Sequence, residues 1–225
     1  MSANPQSFVV AIDGPAGAGK STVARNLAAR LGYLFLDSGA LYRAVALAAR
    51  QRGLSWDDGG ALGAMMGQLD ISFVGTTSRV LVDGADVTSD IRRPEISEGA
   101  SRVSAQAAVR AGLLDIQRRM GAEGRVVAEG RDIGTVVFPN AQAKFFLTAP
   151  IEERARRRAE ELAATGRVVD RTAVLADMSA RDERDRTRAV APLRRAEDAI
   201  EIDSAGLTPD EVVGKMLAVV RTRGG

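Results

Sequence analysis

Residues 14–21, GPAGAGKS, spell G-x-x-x-x-G-K-[ST] and stand between a short apolar run, FVVAI at 8–12, and a segment, STVARNLAARL, in which Val23, Leu27 and Leu31 recur at helical spacing. A buried strand, a glycine-rich turn and a helix in that order make a phosphate-binding loop, in which inward-turned backbone N–H groups and a helix N-terminus meet a polyphosphate. Gly14, Pro15, Ala16, Gly17, Ala18 and Gly19 are the candidate cradle, with Lys20 for the β- and γ-phosphate oxygens. Ser21, followed by Thr22, offers a hydroxyl to Mg²⁺. A motif of this kind demands a parallel sheet with its ligand at the C-terminal strand edge.

The rest of the chain supplies such a sheet. YLFLD at 33–37, RVVAEG at 125–130 and AKFFLT at 143–148 are apolar runs of strand length, and AIEID at 199–203 is a weaker fifth. Helical patterns over 151–164, 171–186 and 208–221 separate or follow them, and Ser38 is placed to cap a helix through LYRAVALAARQ that Gly53 ends. The expected class is α/β, a doubly wound parallel sheet of five strands. One stretch breaks the rhythm: ISFVG at 71–75 and SRVLVDGADV at 78–87 alternate apolar and polar residues around TTS, which predicts a small antiparallel hairpin. A long amphipathic helix from about Glu95 to Met120 is expected after it, so 38–120 reads as an inserted lobe. The six N-terminal residues and the RTRGG tail are expected to be loose.

Composition narrows the chemistry. The 225 residues contain no cysteine and no histidine, which excludes thiolate nucleophiles, Cys- or His-ligated metals and a histidine general base. Phosphoryl transfer to a phosphate acceptor survives, because a phosphate with a second pKa of roughly 6 needs positioning and charge neutralisation more than deprotonation. Of 31 basic residues only Lys20, Lys144 and Lys215 are lysine, and the arginine fork suits bidentate phosphate recognition. The net charge of +2 demands no nucleic-acid surface. No apolar run approaches the roughly 20 residues of a membrane span, and MSANPQSF lacks a signal peptide's pattern, so a cytoplasmic monomer acting on small molecules is expected, without membrane or nucleic-acid partners.

Four clusters are candidates for the acceptor side. Asp37, Ser38, Tyr42 and Arg43 follow the second strand, and Glu129-Gly130-Arg131-Asp132 end a buried one, so both lie at the ligand edge of the sheet. Arg181, Asp185 and Arg188 share a face of the segment ARDERDRTR, whose alternating charges also suit a solvated, self-paired helix. Arg154, Arg156, Arg157 and Arg158 either form a wet helix face or belong to a mobile lid that carries arginines to the transferring phosphates.

GPAGAGKST, LDSGALYR, EGRDIGTVVFPNA and RDERDRTRAVAPL, in this order and spacing, resemble the motifs of the bacterial-type cytidylate kinase family, from about residue 8 to 220. The resemblance implies a three-layer P-loop NTPase fold in three parts: a core (about 8–37, 121–150 and 171–225), a monophosphate-binding lobe (38–120) and a lid (151–170). It implies transfer of the γ-phosphate of ATP to CMP or dCMP with Mg²⁺. Lys20, Arg131, Asp132, Arg154 and Arg158 would then be catalytic, and Arg157 would join the loop in holding ATP. Ser38, Arg43, Arg131, Asp132 and Arg188 would line the acceptor site, with Ser101, Arg110 and Asp132 at the cytosine edge and Arg181 and Asp185 at the sugar hydroxyls. Glu129 departs from the aspartate frequent in the family and receives no direct ligand contact. Other acceptors (UMP, AMP, shikimate) share the loop and lid without the EGRD and RDxxD combination. A GTP-dependent switch would want an N-K-x-D loop, which the chain lacks, and a nucleic-acid module would want a stacking platform that 4% aromatics do not suggest.

Overall fold

A computed structural model describes residues 7–74, 79–122, 124–164, 166 and 168–225. Its centre is a five-stranded sheet in the order β2-β6-β1-β7-β8, from Val9–Asp13 (β1), Leu34–Asp37 (β2), Val126–Gly130 (β6), Ala143–Thr148 (β7) and Ile200–Asp203 (β8), and every neighbouring pair is parallel. The apolar runs explain this, since only a sheet covered on both faces can bury consecutive residues. Val10 and Ile12 face Val23 and Leu27 of Lys20–Leu31 (α1) and Met216 and Val220 of Pro209–Thr222 (α8). Val9 and Ala11 face the opposite layer, with Leu36, Ile133 and Val137. The register sets Asp37 beside Glu129 and Ile12 beside Glu129, so the acidic strand ends share one rim.

A second hydrophobic cluster gathers Ser38–Gln51 (α2), Gly59–Met66 (α3), Pro94–Val103 (α4) and Ala107–Ala122 (α5) against a small antiparallel sheet of Ile71–Val74 (β3), Arg79–Val82 (β4) and Ala85–Asp86 (β5). The expected hairpin thus carries a third short strand, turned by Asp83 and Gly84 at φ 50° and 79°, the Asp-Gly pairing favoured in tight hairpins. Its TTS turn lies outside the described residues. The long helix expected over 95–120 is two helices. Ser104 donates its hydroxyl to the Ser101 carbonyl, and the Ser104 carbonyl accepts from Arg110, so local side-chain bonds replace the helical ladder at the break. Helix α3 was not foreseen, because GGALGAMM carries little amphipathic signal; Asp58 caps it by accepting from Ala61 N–H.

Two further expectations are corrected. Asp37, not Ser38, caps α2 by accepting from the Ala40 N–H, and Ser38 donates instead to the Glu129 carbonyl at 2.7 Å. The tail is held: Gly225 N–H reaches the Val220 carbonyl, and Arg223 bonds the Gln142 carbonyl. The expectation for residues 1–6 lies outside the described residues. The remaining helices, Ile151–Ala164 (α6) and Arg171–Thr187 (α7), pair with each other over the loop that follows β1.

Candidate active site

The loop after β1 turns through Gly14, Gly17 and Gly19 at φ 150°, 74° and 88° and delivers Lys20 and Ser21 to the first turn of α1. At Gly14 an added methyl group would fall inside the Leu147 carbonyl, so the backbone approach itself requires glycine. Lys20 is buried and donates to the Pro15 carbonyl at 2.7 Å. Burial, and then the Arg131 guanidinium, push its ammonium down to about 7. Arg181 is likewise lowered to about 10, by burial first and Arg131 second. One buried and two partly buried cations close to one another form a site that a polyphosphate would relieve.

Acids stand close to the loop, and of these Glu129 lines the cleft. Glu129 accepts from the Ser21 hydroxyl at 2.5 Å, and burial together with neighbouring Asp37 raises its carboxyl above the ordinary range. Asp37 pairs with Arg43 at 2.9 Å. Asp13, at the end of β1, accepts from the Ile133 and Gly134 N–H groups at 2.8 and 2.7 Å; burial outweighs those bonds and lifts it to about 6. Residues 133–137 form a single wide helical turn, and Asp13 satisfies the leading N–H groups of that turn.

The acceptor candidates converge from four elements. Asp132 is ion-paired with Arg110 and lies 3.4 Å from Arg188. Arg110 also stacks 5.4 Å from the Tyr42 ring centre and donates to the Ser104 carbonyl. Arg131 pairs with Asp185 at 2.8 Å, and Arg131 and Arg181 hold that carboxyl below the usual range against the upward pull of burial. Ser101 accepts from Arg184 at 3.3 Å, which joins α4 to α7. A cleft of about 1270 Å³ runs between the two groups, walled by Ala16 to Thr22 on one side and by Ser38, Tyr42, Arg43, Ser101, Arg131, Asp132, Arg181, Asp185 and Arg188 on the other.

Not every expected residue reaches that wall. Asp37 and Arg110 stand behind it, engaged with Arg43 and Asp132. The lid arginines divide in three. Among the described residues Arg158 pairs with Glu161, partly exposed at the cleft. Arg157 braces Ser204 through both its hydroxyl and its carbonyl. Arg154, expected to reach the phosphates, is buried behind the loop and donates to the Ala16 and Ala149 carbonyls. Sequence reasoning missed Asp13, Ser104, Asp182, Arg184 and Ser204. Their partners lie 83 to 186 residues away in the cases of Arg184 and Ser204, so no local pattern reports them.

A family model described as "Cytidylate kinase" matches residues 10–222. The chain is 50% identical over 223 residues to a cytidylate kinase of Geobacter sulfurreducens, covering 98% of this chain and 96% of that one. The chain belongs to the cytidylate kinase family. A cytidylate kinase of Syntrophotalea carbinolica is 51% identical over 220 residues, covering 97% and 94%. Family membership makes the chain a nucleoside monophosphate kinase. Among solved structures, an uncharacterized protein of Eubacterium ventriosum superposes with a TM-score of 0.54 at 12% identity, covering 96% of this chain and 99% of that one, which is a likeness of fold alone. No helix among the described residues is long and apolar enough to cross a membrane.

Proposed function

We propose that this chain transfers the γ-phosphate of ATP to CMP or dCMP by in-line attack of an acceptor phosphate oxygen. The observation that carries the reading is the single cleft in which the glycine loop with Lys20 faces the arginines Arg43, Arg131, Arg181 and Arg188. ATP lies along the loop with its β- and γ-phosphates at Lys20 and its nucleoside toward Arg157. The acceptor phosphate lies among Arg43, Arg131 and Arg188, the sugar at Arg181 and Asp185, and the base at Ser101 and Asp132. Arg110 holds Asp132 in place. No base is needed for a phosphate dianion, so the arginines act by spreading the charge that develops on the transferred group.

Mg²⁺ fits the residues present. Ser21 offers one hydroxyl, Glu129 and Asp37 supply buried negative charge beside it, and the remaining positions fall to phosphates and water, as is usual for this ion. When bound, the ion would neutralise phosphate charge. The segment 38–120 is the acceptor-binding lobe, and 151–170 is the lid, with Arg158, paired to Glu161, its cation at the cleft.

The test is ADP release from ATP and Mg²⁺ with a panel of CMP, dCMP, UMP, AMP, GMP and shikimate. Turnover is expected to be strongest with CMP and dCMP. Equal or faster turnover of AMP or shikimate would overturn the acceptor assignment.

A further inference from the structure

We propose that Asp182 is a positioning residue that couples the ATP-binding loop to the acceptor-binding helix. This rests on the phosphoryl-transfer reading above. Asp182 is 1% exposed on α7, and its carboxylate lies 2.7 Å from a guanidinium nitrogen of Arg154. That same nitrogen donates to the Ala16 carbonyl at 2.9 Å, and the Arg154 Nε donates to the Ala149 carbonyl, also at 2.9 Å. One buried fork therefore hydrogen-bonds the loop and the residue after β7 and meets α7 through an ion pair, the Asp182 oxygens having no hydrogen-bond partner among the described residues.

The loop works by turning its amides inward, which requires its carbonyls to point outward and be satisfied there. Arg154 supplies the partner for one such carbonyl, so the neighbouring Gly17 amide is held toward the phosphates. The contact is close. A methyl group at Gly17 would lie 2.7 Å from Met178 Cε and 3.1 Å from Arg154 Cβ, so α6 and α7 seat directly on the loop. Ala16, Ala155 and Met178 form the small apolar cluster beneath.

The other end of the coupling is helical geometry. Arg181 precedes Asp182, and Asp185 follows it by one turn. Anchoring Asp182 sets the rotation of α7, which aims Arg181 at the Lys20 side of the cleft and Asp185 at Arg131. A buried carboxylate that loses its 2.7 Å cation and keeps only the half-exposed Arg186 at 4.0 Å is strongly disfavoured, so the tie has few alternative arrangements.

The test pairs calorimetric binding of Mg-ATP with steady-state kinetics at a temperature well below each variant's unfolding midpoint. Asp182→Asn should weaken ATP binding roughly tenfold and raise the CMP KM as well, with kcat lowered by about tenfold to a hundredfold, because small misplacements of reacting groups are costly. Arg154→Lys keeps the charge and loses the fork, and should show the same loss of ATP affinity, which covers the case in which Asp182→Asn does not fold. Combining Asp182→Asn with Arg154→Lys should be no worse for ATP affinity than the worse single variant. Losses that multiply, or ATP affinity within twofold of wild type with only the melting temperature lowered, would overturn the coupling. A wild-type enzyme that binds ATP but does not turn over CMP would overturn the acceptor reading instead, and leave the ATP-binding arm to judge the loop contact.

Discussion

Replacing Arg110 by methionine separates a ligand contact from a supporting one. Arg110 and Asp132 are both buried, and Arg110 also bonds the Ser104 carbonyl and stacks over Tyr42. Removing one member of a buried pair typically costs about 3–5 kcal/mol. Arg188 remains 3.4 Å from Asp132 and compensates in part, which puts the folding cost near the lower end, about 3 kcal/mol. For binding, a misdirected Asp132 forfeits a charge-assisted hydrogen bond to the base of about 2 kcal/mol, or roughly thirtyfold in acceptor KM. The assay is ADP production at saturating Mg-ATP with CMP and UMP varied separately, after urea unfolding has fixed a temperature at which the variant is folded. The CMP KM should rise by roughly that factor, and the preference for CMP over UMP should shrink, since discrimination rests on few hydrogen bonds. A CMP KM within twofold of wild type and an unchanged CMP to UMP ratio would refute the placement of Asp132 at the base with Arg110 holding it.

Two predictions concern the ground under the site. Burial raises the Asp13 carboxyl from the ordinary 3.8 to about 6, so the folded state holds its proton more tightly; its contribution favours folding below about pH 4 and is lost as pH rises through about 6. The stability difference between wild type and Asp13→Asn, from urea unfolding at pH 4 and pH 6.5, should therefore move against wild type by about 2 kcal/mol as pH rises, and a flat difference would remove burial as the cause. Gly14→Ala should abolish soluble folded protein or ATP binding, because its methyl group meets a backbone carbonyl that has no rotamer to yield. A folded variant with wild-type ATP affinity, measured by calorimetry, would show that the loop shifts without penalty.

Much of this protein was legible as sequence. A glycine-rich loop between an apolar strand and a helix has one stable solution, so the loop, its strand and its helix followed from GPAGAGKS and its flanks. Consecutive apolar residues in β1, β6 and β7 forced a sheet covered on both faces, and the acids at the ends of β2 and β6, Asp37 and Glu129, marked the ligand edge. What sequence could not decide was which partner each charge takes. The run ARDERDRTR reads equally well as a solvated helix, yet the fold buries Asp182 and Asp185 and leaves Glu183 outside, because α7 lies across the loop on one side only. Arg154 and Arg158 are four residues apart on one helix, and only the seat of α6 against Ala16 makes the first a buried brace and leaves the second at the cleft, paired with Glu161. The break between α4 and α5 was hidden for the same reason, since Ser104 interrupts the helix only where Arg110 reaches back to claim its carbonyl. Residue type and period are local and set the elements. The pairing of buried charges depends on desolvation, and desolvation exists only once the elements have closed on one another.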